Sequence, residues 1–192
     1  MARSFAAMFR GVSSPPLLTA ADVERISIPG KVTELVRGRL VVREPPGTWH
    51  GAIAANLTCL IGDFVRPHGL GTVFAQDTGF KIAADPDTVR APDVAYVARE
   101  RSGLIRKRGY AELAPDLLAE ILSPDDRPAA VLAKVADWLA AGTRLVWVVD
   151  PERGEVRVYR QDGSLAVLRE DDSLEGEDVL PGFVCPLRQI FS

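Results

Sequence analysis

"PDLLAEILSPDD", residues 115–126, is the stretch on which the fold reading turns. From Leu117 to Leu122 every side chain but one is aliphatic, and turn-forming residues bound the run on both sides, the pattern of a short buried strand. The exception is Glu120. Period-two alternation sets it with Leu118 and Leu122 on one face, while Leu117, Ala119 and Ile121 occupy the other. Burial of a lone carboxylate is costly unless it is paired, hydrogen-bonded or bound to a cation, so Glu120 needs a partner from outside its own strand.

Working outward, Ser123 is placed to cap a following helix, with Pro128 in the opening turn, Gly142 just past the end, and Asp125 and Asp126 favouring the N-terminus electrostatically. "RLVWVVD" (144–150) is an almost uninterrupted apolar strand of the kind buried on both faces of a central sheet. "EVRVYR" (155–160) alternates like an edge strand or hairpin partner. Upstream, "GTVFAQ" (71–76), "GFKIA" (79–83) and "DVAYVA" (93–98) read as short strands, with a turn at "DPDT" (85–88). Ile53, Leu57, Leu60, Ile61 and Phe64 follow the helical period from Trp49 to Val65, closed by Pro67 and Gly69. "TELVRGRLVVRE" (33–44) reads as a hairpin with Gly38 at its turn and Glu34 on its first strand. The order is hairpin, helix, three strands, helix, strand, strand. Helices are too few for a doubly wound sheet and strands too many for a bundle, which predicts an α/β fold with a mixed sheet.

A chain of 192 residues, 47% hydrophobic, suffices for one domain with a substantial core. The formal net charge of −3 gives no global basic field, so any nucleic-acid partner must be held locally. Cys59 and Cys185 lie far apart in apolar surroundings, with neither a disulfide framework nor metal-ligand spacing, and are expected to be small core residues in a reducing cytosol. No stretch is uniformly apolar over a membrane-spanning length, and the apolar run at the start ends at Arg10, short of a signal-peptide core. A cytoplasmic protein is expected. Residues 1–24 read as a loosely ordered lead-in that docks as a short helix after Thr19, and residues 25–192 as a single domain.

Two carboxylates stand where folding alone would choose neither, and a lysine joins them. Asp93 follows Pro92 at the mouth of an apolar strand, Glu120 lies inside another, and Lys134, one of four lysines, lies beside the apolar stripe of the second helix while Asp137 points away from it. Read singly, each has an ordinary structural explanation: a turn aspartate, a salt-bridged glutamate, a lysine covering the core edge with its methylenes. Taken together on strands that pair, they suit magnesium, which takes a few hard oxygen ligands and leaves other positions to water and substrate phosphate. Such an ion would polarise a phosphodiester, and the lysine would orient the nucleophile or stabilise charge on phosphorus oxygens.

"RAPDVAYV" (90–97), "PDLLAEILSP" (115–124), and Lys134 followed by "WLAAG" (138–142) and "RLVWVVDP" (144–151) together resemble the Uma-type restriction endonuclease family, a branch of the PD-(D/E)XK nuclease superfamily. The resemblance extends through "TELVRGRLV", "WHGAIAANL", "DTGFKIAADPDTVRAPD" and "LPGF", and covers residues 30–191. It implies a restriction endonuclease-like αβββαβ core with a mixed central sheet, carrying an N-terminal β-hairpin and C-terminal strands. It further implies a Mg²⁺- or Mn²⁺-dependent endonuclease acting on DNA, with Asp93 and Glu120 as metal ligands, Lys134 as catalytic lysine and Glu34 as a further acidic residue of the site. One departure from the wider superfamily is Leu122, which stands where its motif places lysine; the family resemblance moves that role to Lys134.

His50, in the first turn of its helix, and Gln76 are further candidates to line the site. Arg106, Lys107 and Arg108, in the loop between the Asp93 and Glu120 strands, are candidate phosphate-binding residues, although such runs are commonly just solvated. A homodimer is expected, because cutting a duplex needs two sites. Two other readings are a binding or regulatory module that keeps the fold but hydrolyses nothing, and a hydrolase of RNA or another phosphoester.

Overall fold

The computed structural model describes residues 15–192; the first part of the lead-in expected over 1–24 lies outside the described residues. Helix α1 (Ala20–Val23) opens in a capping box, where the Thr19 side chain accepts from the Asp22 N–H and the Asp22 side chain accepts from the Thr19 N–H. Its Ala20 and Val23 bury against Leu35 and Val89.

The hairpin is formed by β1 (Val32–Val36) and β2 (Arg39–Arg43), paired so that Glu34 lies opposite Val41. Its two-residue turn has φ of +49° at Arg37 and +72° at Gly38, the double left-handed geometry whose twist matches that of the strands. Helix α2 (Thr48–His68) buries Ile53, Leu57, Ile61 and Val65 along one stripe. It runs on through Pro67 and ends at Gly69, whose φ of +59° lets Leu70 N–H return to the Val65 carbonyl. Cys59 falls on the outward side of this helix and is exposed, while Cys185 is buried. The expectation of two core cysteines therefore fails at Cys59, because the 3.6-residue period turns that position away from the stripe defined by Leu57 and Ile61.

Next come β3 (Gly71–Phe74), β4 (Phe80–Ala83), β5 (Thr88–Arg90) and β6 (Val94–Ala98). After a short 3₁₀ turn at Arg99–Leu104 follow β7 (Leu117–Ile121), α3 (Pro128–Ala140), β8 (Leu145–Asp150) and β9 (Glu155–Arg160). The chain finishes with β10 (Leu165–Leu168), β11 (Ser173–Glu175), β12 (Val184–Pro186) and α4 (Arg188–Phe191).

The central sheet has six strands in the order β10-β9-β8-β7-β6-β3. All neighbours are antiparallel except β7 and β8, which run parallel and are joined across α3 as a βαβ unit requires. The run α2, β3, β6, β7, α3, β8 is the expected αβββαβ core. "GFKIA" does not join that sheet. With β5, a strand absent from the sequence reading, it completes a second sheet in the order β2-β1-β5-β4.

Each face of the central sheet has its own core. Leu117, Ala119 and Ile121 of β7 face α2 together with Trp147 of β8, and the C-terminal segment seals this side with Leu180, Phe183 and Ile190. Phe183 stacks on Trp147 at 6.0 Å between ring centroids and meets Phe64 edge-on at 5.6 Å. On the opposite face Leu118, Val146 and Val148 pack against Val135 and Trp138 of α3 and against Phe80 of β4. All six residues of β8 are buried, as its sequence predicts. Each large aliphatic side chain so removed from water contributes roughly 1.5–3 kcal/mol. Glu120 shares the face of Leu118 and is turned toward α3.

Helix α3 begins one turn later than the Ser123 cap implied. Arg127 occupies the N-cap with no side-chain capping bond, and Pro128 stands at N1, where its missing N–H costs nothing. The Ser123 N–H instead donates to Asp126 Oδ2 at 2.8 Å, closing a turn ahead of the helix.

Candidate active site

The register of β6 on β7 sets Val94 opposite Ala119, with the Asp93 N–H donating to the Ala119 carbonyl at 3.1 Å. Continued by one position, that pairing places Asp93 across from Glu120, so the two carboxylates are cross-strand neighbours at the end of the sheet. Asp93 Oδ2 accepts from the Ile121 N–H at 2.7 Å and lies 3.2 Å from His50 Nε2. Its Oδ1 has no partner among the described residues. Gln76 Nε2 is 3.3 Å from His50 Nδ1, so α2 and the residues just after β3 hold Asp93 through one imidazole.

Glu120 is 7% exposed. Oε2 accepts from Lys134 Nζ at 2.8 Å and Oε1 from the indole Nε1 of Trp138 at 2.7 Å. Both donors come from α3, one helical turn apart. The Lys134 ammonium also donates to the Ala91 carbonyl at 3.2 Å and forms an ion pair with Glu34 Oε1 at 3.2 Å. Glu34, 2% exposed, is fixed in turn by the Ala91 N–H at 3.0 Å and by Arg90 Nη1 at 3.0 Å. Arg90 Nη2 reaches Asp137 Oδ2 at 2.6 Å. Asp137, read as pointing away from the apolar stripe, belongs to this network, because β5 brings a buried arginine to that side of α3.

Electrostatics follow from burial and from these pairings. Desolvation, helped by the charges of Asp93 and Glu34, outweighs the Lys134 ammonium and pushes Glu120 up to about 7. Burial also opposes the charged form of Glu34, yet Lys134, Arg90 and the Ala91 N–H together hold it below the usual carboxylate range. For Lys134 burial is again the largest influence and favours the neutral amine, but the carboxylates of Glu120 and Glu34 prevail and keep it a cation. Burial likewise disfavours charge on His50, and the hydrogen bond and charge of Asp93 reverse this and raise it.

These groups open on a cleft of about 660 Å³ between the hairpin, the N-terminal end of α2, the turn after β7 and α3. Glu34, His50, Gln76, Asp93, Glu120 and Lys134 all line it. Leu122 lines it too, its N–H taken by the Val149 carbonyl, and it carries no charge to the site; the ammonium arrives from α3.

The structure does not bring Arg106, Lys107 and Arg108 to this cleft. β6 runs away from Asp93 and β7 runs back toward Glu120, so the loop between them leaves from the opposite end of the sheet. It then returns along β4, where the Lys81 N–H donates to the Ala111 carbonyl. Arg106 pairs with Glu112 at 3.1 Å and Arg101 with Asp116 at 2.8 Å. Lys81, another ammonium near these strands, is held by Asp87 at 2.9 Å.

Arg90 and Trp138 are the residues that sequence reasoning missed. Arg90 stands on β5, the strand not foreseen, and Trp138 read as core because an indole N–H leaves no mark on a hydrophobic stripe. The spacing of Lys134 and Trp138, four apart on a helix facing the Glu120 strand, was the available signal.

Among the described residues no helix is long and apolar enough to cross a membrane, and no three His, Cys, Asp or Glu side chains form a ready-made metal cage. No curated protein matches the chain. A crystal structure described as "a putative nuclease belonging to DUF820 from Anabaena variabilis" superposes with a TM-score of 0.77 at 22% identity, covering 91% of this chain and 97% of that one. At that identity the likeness establishes a shared fold. The family model Uma2, described as "Putative restriction endonuclease", matches residues 21–188, nearly the whole described chain, and the protein belongs to that family.

Proposed function

We propose that this chain is a cytoplasmic, divalent-metal-dependent endonuclease that hydrolyses DNA phosphodiesters in the cleft around Asp93, Glu120 and Lys134. The observation that supports it most is their convergence: two carboxylates opposed on paired strands, with an ammonium 2.8 Å from one of them.

The residues present fit a metal ion. Arg90 and Lys134 pair with Glu34, Glu120 and Asp137, and Asp93 adds a further carboxylate across the strands from Glu120, so acids crowd one end of the sheet as a cation site requires. The uncommitted Asp93 Oδ1 and the Glu120 carboxylate are hard oxygen donors of the kind Mg²⁺ and Mn²⁺ take, with water and phosphate completing the shell. When bound, such an ion would polarise the scissile phosphate and make attacking water more acidic.

The chain's own groups do the rest. Ile121 N–H and His50 fix the Asp93 rotamer. Glu34, itself anchored by Arg90, keeps the Lys134 amine protonated and aimed along α3 toward Glu120. Because the buried Lys134 ammonium is ringed by Glu120, Glu34 and the Ala91 carbonyl, engaging a nucleophile or a phosphate oxygen loosens one of these contacts. Glu34 and the Ala91 carbonyl are the contacts that hold the amine in place while Glu120 gives way to substrate.

Plasmid incubated with Mg²⁺ or Mn²⁺ should be nicked or cut, with Glu120→Ala and Lys134→Ala reduced by a factor on the order of 10²–10⁴. Cutting retained by both variants would reject the site. The self-satisfied network around Glu120 also favours a second reading, a nuclease-fold module that binds without hydrolysing. A calorimetric titration separates the two, since that module shows no Mg²⁺- or Mn²⁺-dependent heat. Offering RNA beside DNA tests the choice of polymer, and light scattering tests the homodimer that duplex cutting implies.

A further inference from the structure

We infer that Trp138 is a positioning residue that sets the metal selectivity of the site, holding Glu120 as a one-oxygen ligand and so favouring small octahedral ions over Ca²⁺. This rests on the metal-site reading above.

The geometry is specific. Trp138 is fully buried, packed with Val135, Leu118 and Val146, and its indole N–H donates to Glu120 Oε1 at 2.7 Å. Lys134, one turn earlier on α3, holds Oε2. A single helix thus supplies one donor to each oxygen of the same carboxylate. The ammonium keeps Glu34 and the Ala91 carbonyl if its contact to Oε2 is given up to an ion, whereas an indole locked in a close-packed core has no other partner and cannot follow a turning carboxylate. Glu120 is therefore pinned at Oε1 and free to adjust only at Oε2.

That asymmetry bears on which ion is accepted. Ca²⁺ takes six to eight oxygens in flexible geometry and commonly gains two from one carboxylate, whereas Mg²⁺ demands near-ideal octahedral positions and uses carboxylates one oxygen at a time. A bidentate grip needs both Glu120 oxygens turned toward the ion, which the Trp138 hydrogen bond opposes. The second candidate ligand, Asp93, is pinned in the same way, with Oδ2 committed to the Ile121 N–H and His50 and only Oδ1 uncommitted. Both acids are held to single-oxygen presentation, one by an indole and the other by a backbone amide.

The test compares Mg²⁺, Mn²⁺ and Ca²⁺ affinities by calorimetry for the native chain and for Trp138→Phe, which keeps a ring in the core and removes the N–H. The ratio of Ca²⁺ to Mn²⁺ affinity should rise about tenfold in the variant, the scale on which loss of an outer hydrogen bond alters metal binding. A purely structural role would leave that ratio unchanged, and an unchanged ratio overturns the inference. Should the variant fail to fold, the native chain still decides: the Trp138 indole N–H proton, followed by NMR, should stay hydrogen-bonded and protected when Mg²⁺ saturates the site, and its release on Mg²⁺ binding overturns the clamp. A native chain that binds none of the three ions removes the metal-site reading itself, a result distinct from binding without selectivity.

Discussion

The chemistry of the cleft depends on the partners of Glu120. In the folded chain this group titrates at about 7, against 4.5 when unfolded, because burial and the neighbouring carboxylates outweigh Lys134. The native state thus holds the proton more tightly, and the stability this confers is present in full below about pH 4.5 and is lost as the pH rises toward 7. Glu120→Gln has no such dependence. Between about pH 5 and pH 8 the native chain should therefore lose stability relative to this variant, by on the order of 2–3 kcal/mol in paired denaturant titrations; a difference independent of pH would contradict the buried, raised carboxyl. Lys134→Met should cost about 3–5 kcal/mol at neutral pH, because it leaves Glu34 and Glu120 buried without their shared cation. Urea unfolding measures this directly. A variant as stable as the native chain would mean that the ammonium is not embedded between the two acids.

At the scale of elements, the site is a meeting of four pieces, of which the hairpin is the least obvious. It contributes Glu34 from a strand outside the central sheet, and Glu34 faces the cleft only if the turn closes in the correct register. At Gly38 a Cβ would lie 2.7 Å from the Leu17 Cβ, on a backbone with φ of +72°. Gly38→Ala should cost about 1–2 kcal/mol through the left-handed strain, with the contact to Leu17 adding to it. Chemical denaturation would show this, and an unaffected midpoint would mean that the turn tolerates another geometry.

This scale also shows what a sequence can disclose. The β7 strand was legible because Glu120 interrupts an otherwise aliphatic run, and its alternation correctly assigned which neighbours share its face. β8 was legible from its continuous apolarity, α2 from its period and the hairpin from Gly38. Strand β5 escaped because three residues at Thr88–Arg90 carry too little periodicity, and with it went Arg90 and the inward role of Asp137. The Ser123 cap failed because the Asp126 N–H goes to the Ser123 carbonyl in a separate turn, and the helix opens only at Pro128. The basic loop was misplaced for a topological reason: in an antiparallel pair the connection and the two acids lie at opposite ends.

For the whole molecule, charge is the governing quantity. The net charge is −3, and seven carboxylate side chains against three cationic ones line the cleft, so a phosphate backbone would be repelled from it unless metal cations accompany it. Binding of such a cation to the folded chain alone should stabilise it, by about 2.7 kcal/mol at a hundred times the dissociation constant, visible as a rise of several degrees in melting temperature. Glu120→Ala and Asp93→Asn should not respond. Replacing Arg106, Lys107 and Arg108 together by alanine should leave that metal-dependent rise intact, since they lie outside the cleft; any consequence belongs to substrate affinity and its salt dependence. Loss of the metal response in the triple variant would place the loop nearer the acids than the strand directions allow.

The most direct measurement is anomalous diffraction from crystals grown with Mn²⁺. One strong peak is expected in the cleft, ~2.1 Å from a single oxygen of Asp93 and a single oxygen of Glu120, with the Lys134 amine adjacent. A peak elsewhere on the chain, or none at saturating Mn²⁺ with Glu120 still bound to Lys134 and Trp138, would contradict the metal-site reading.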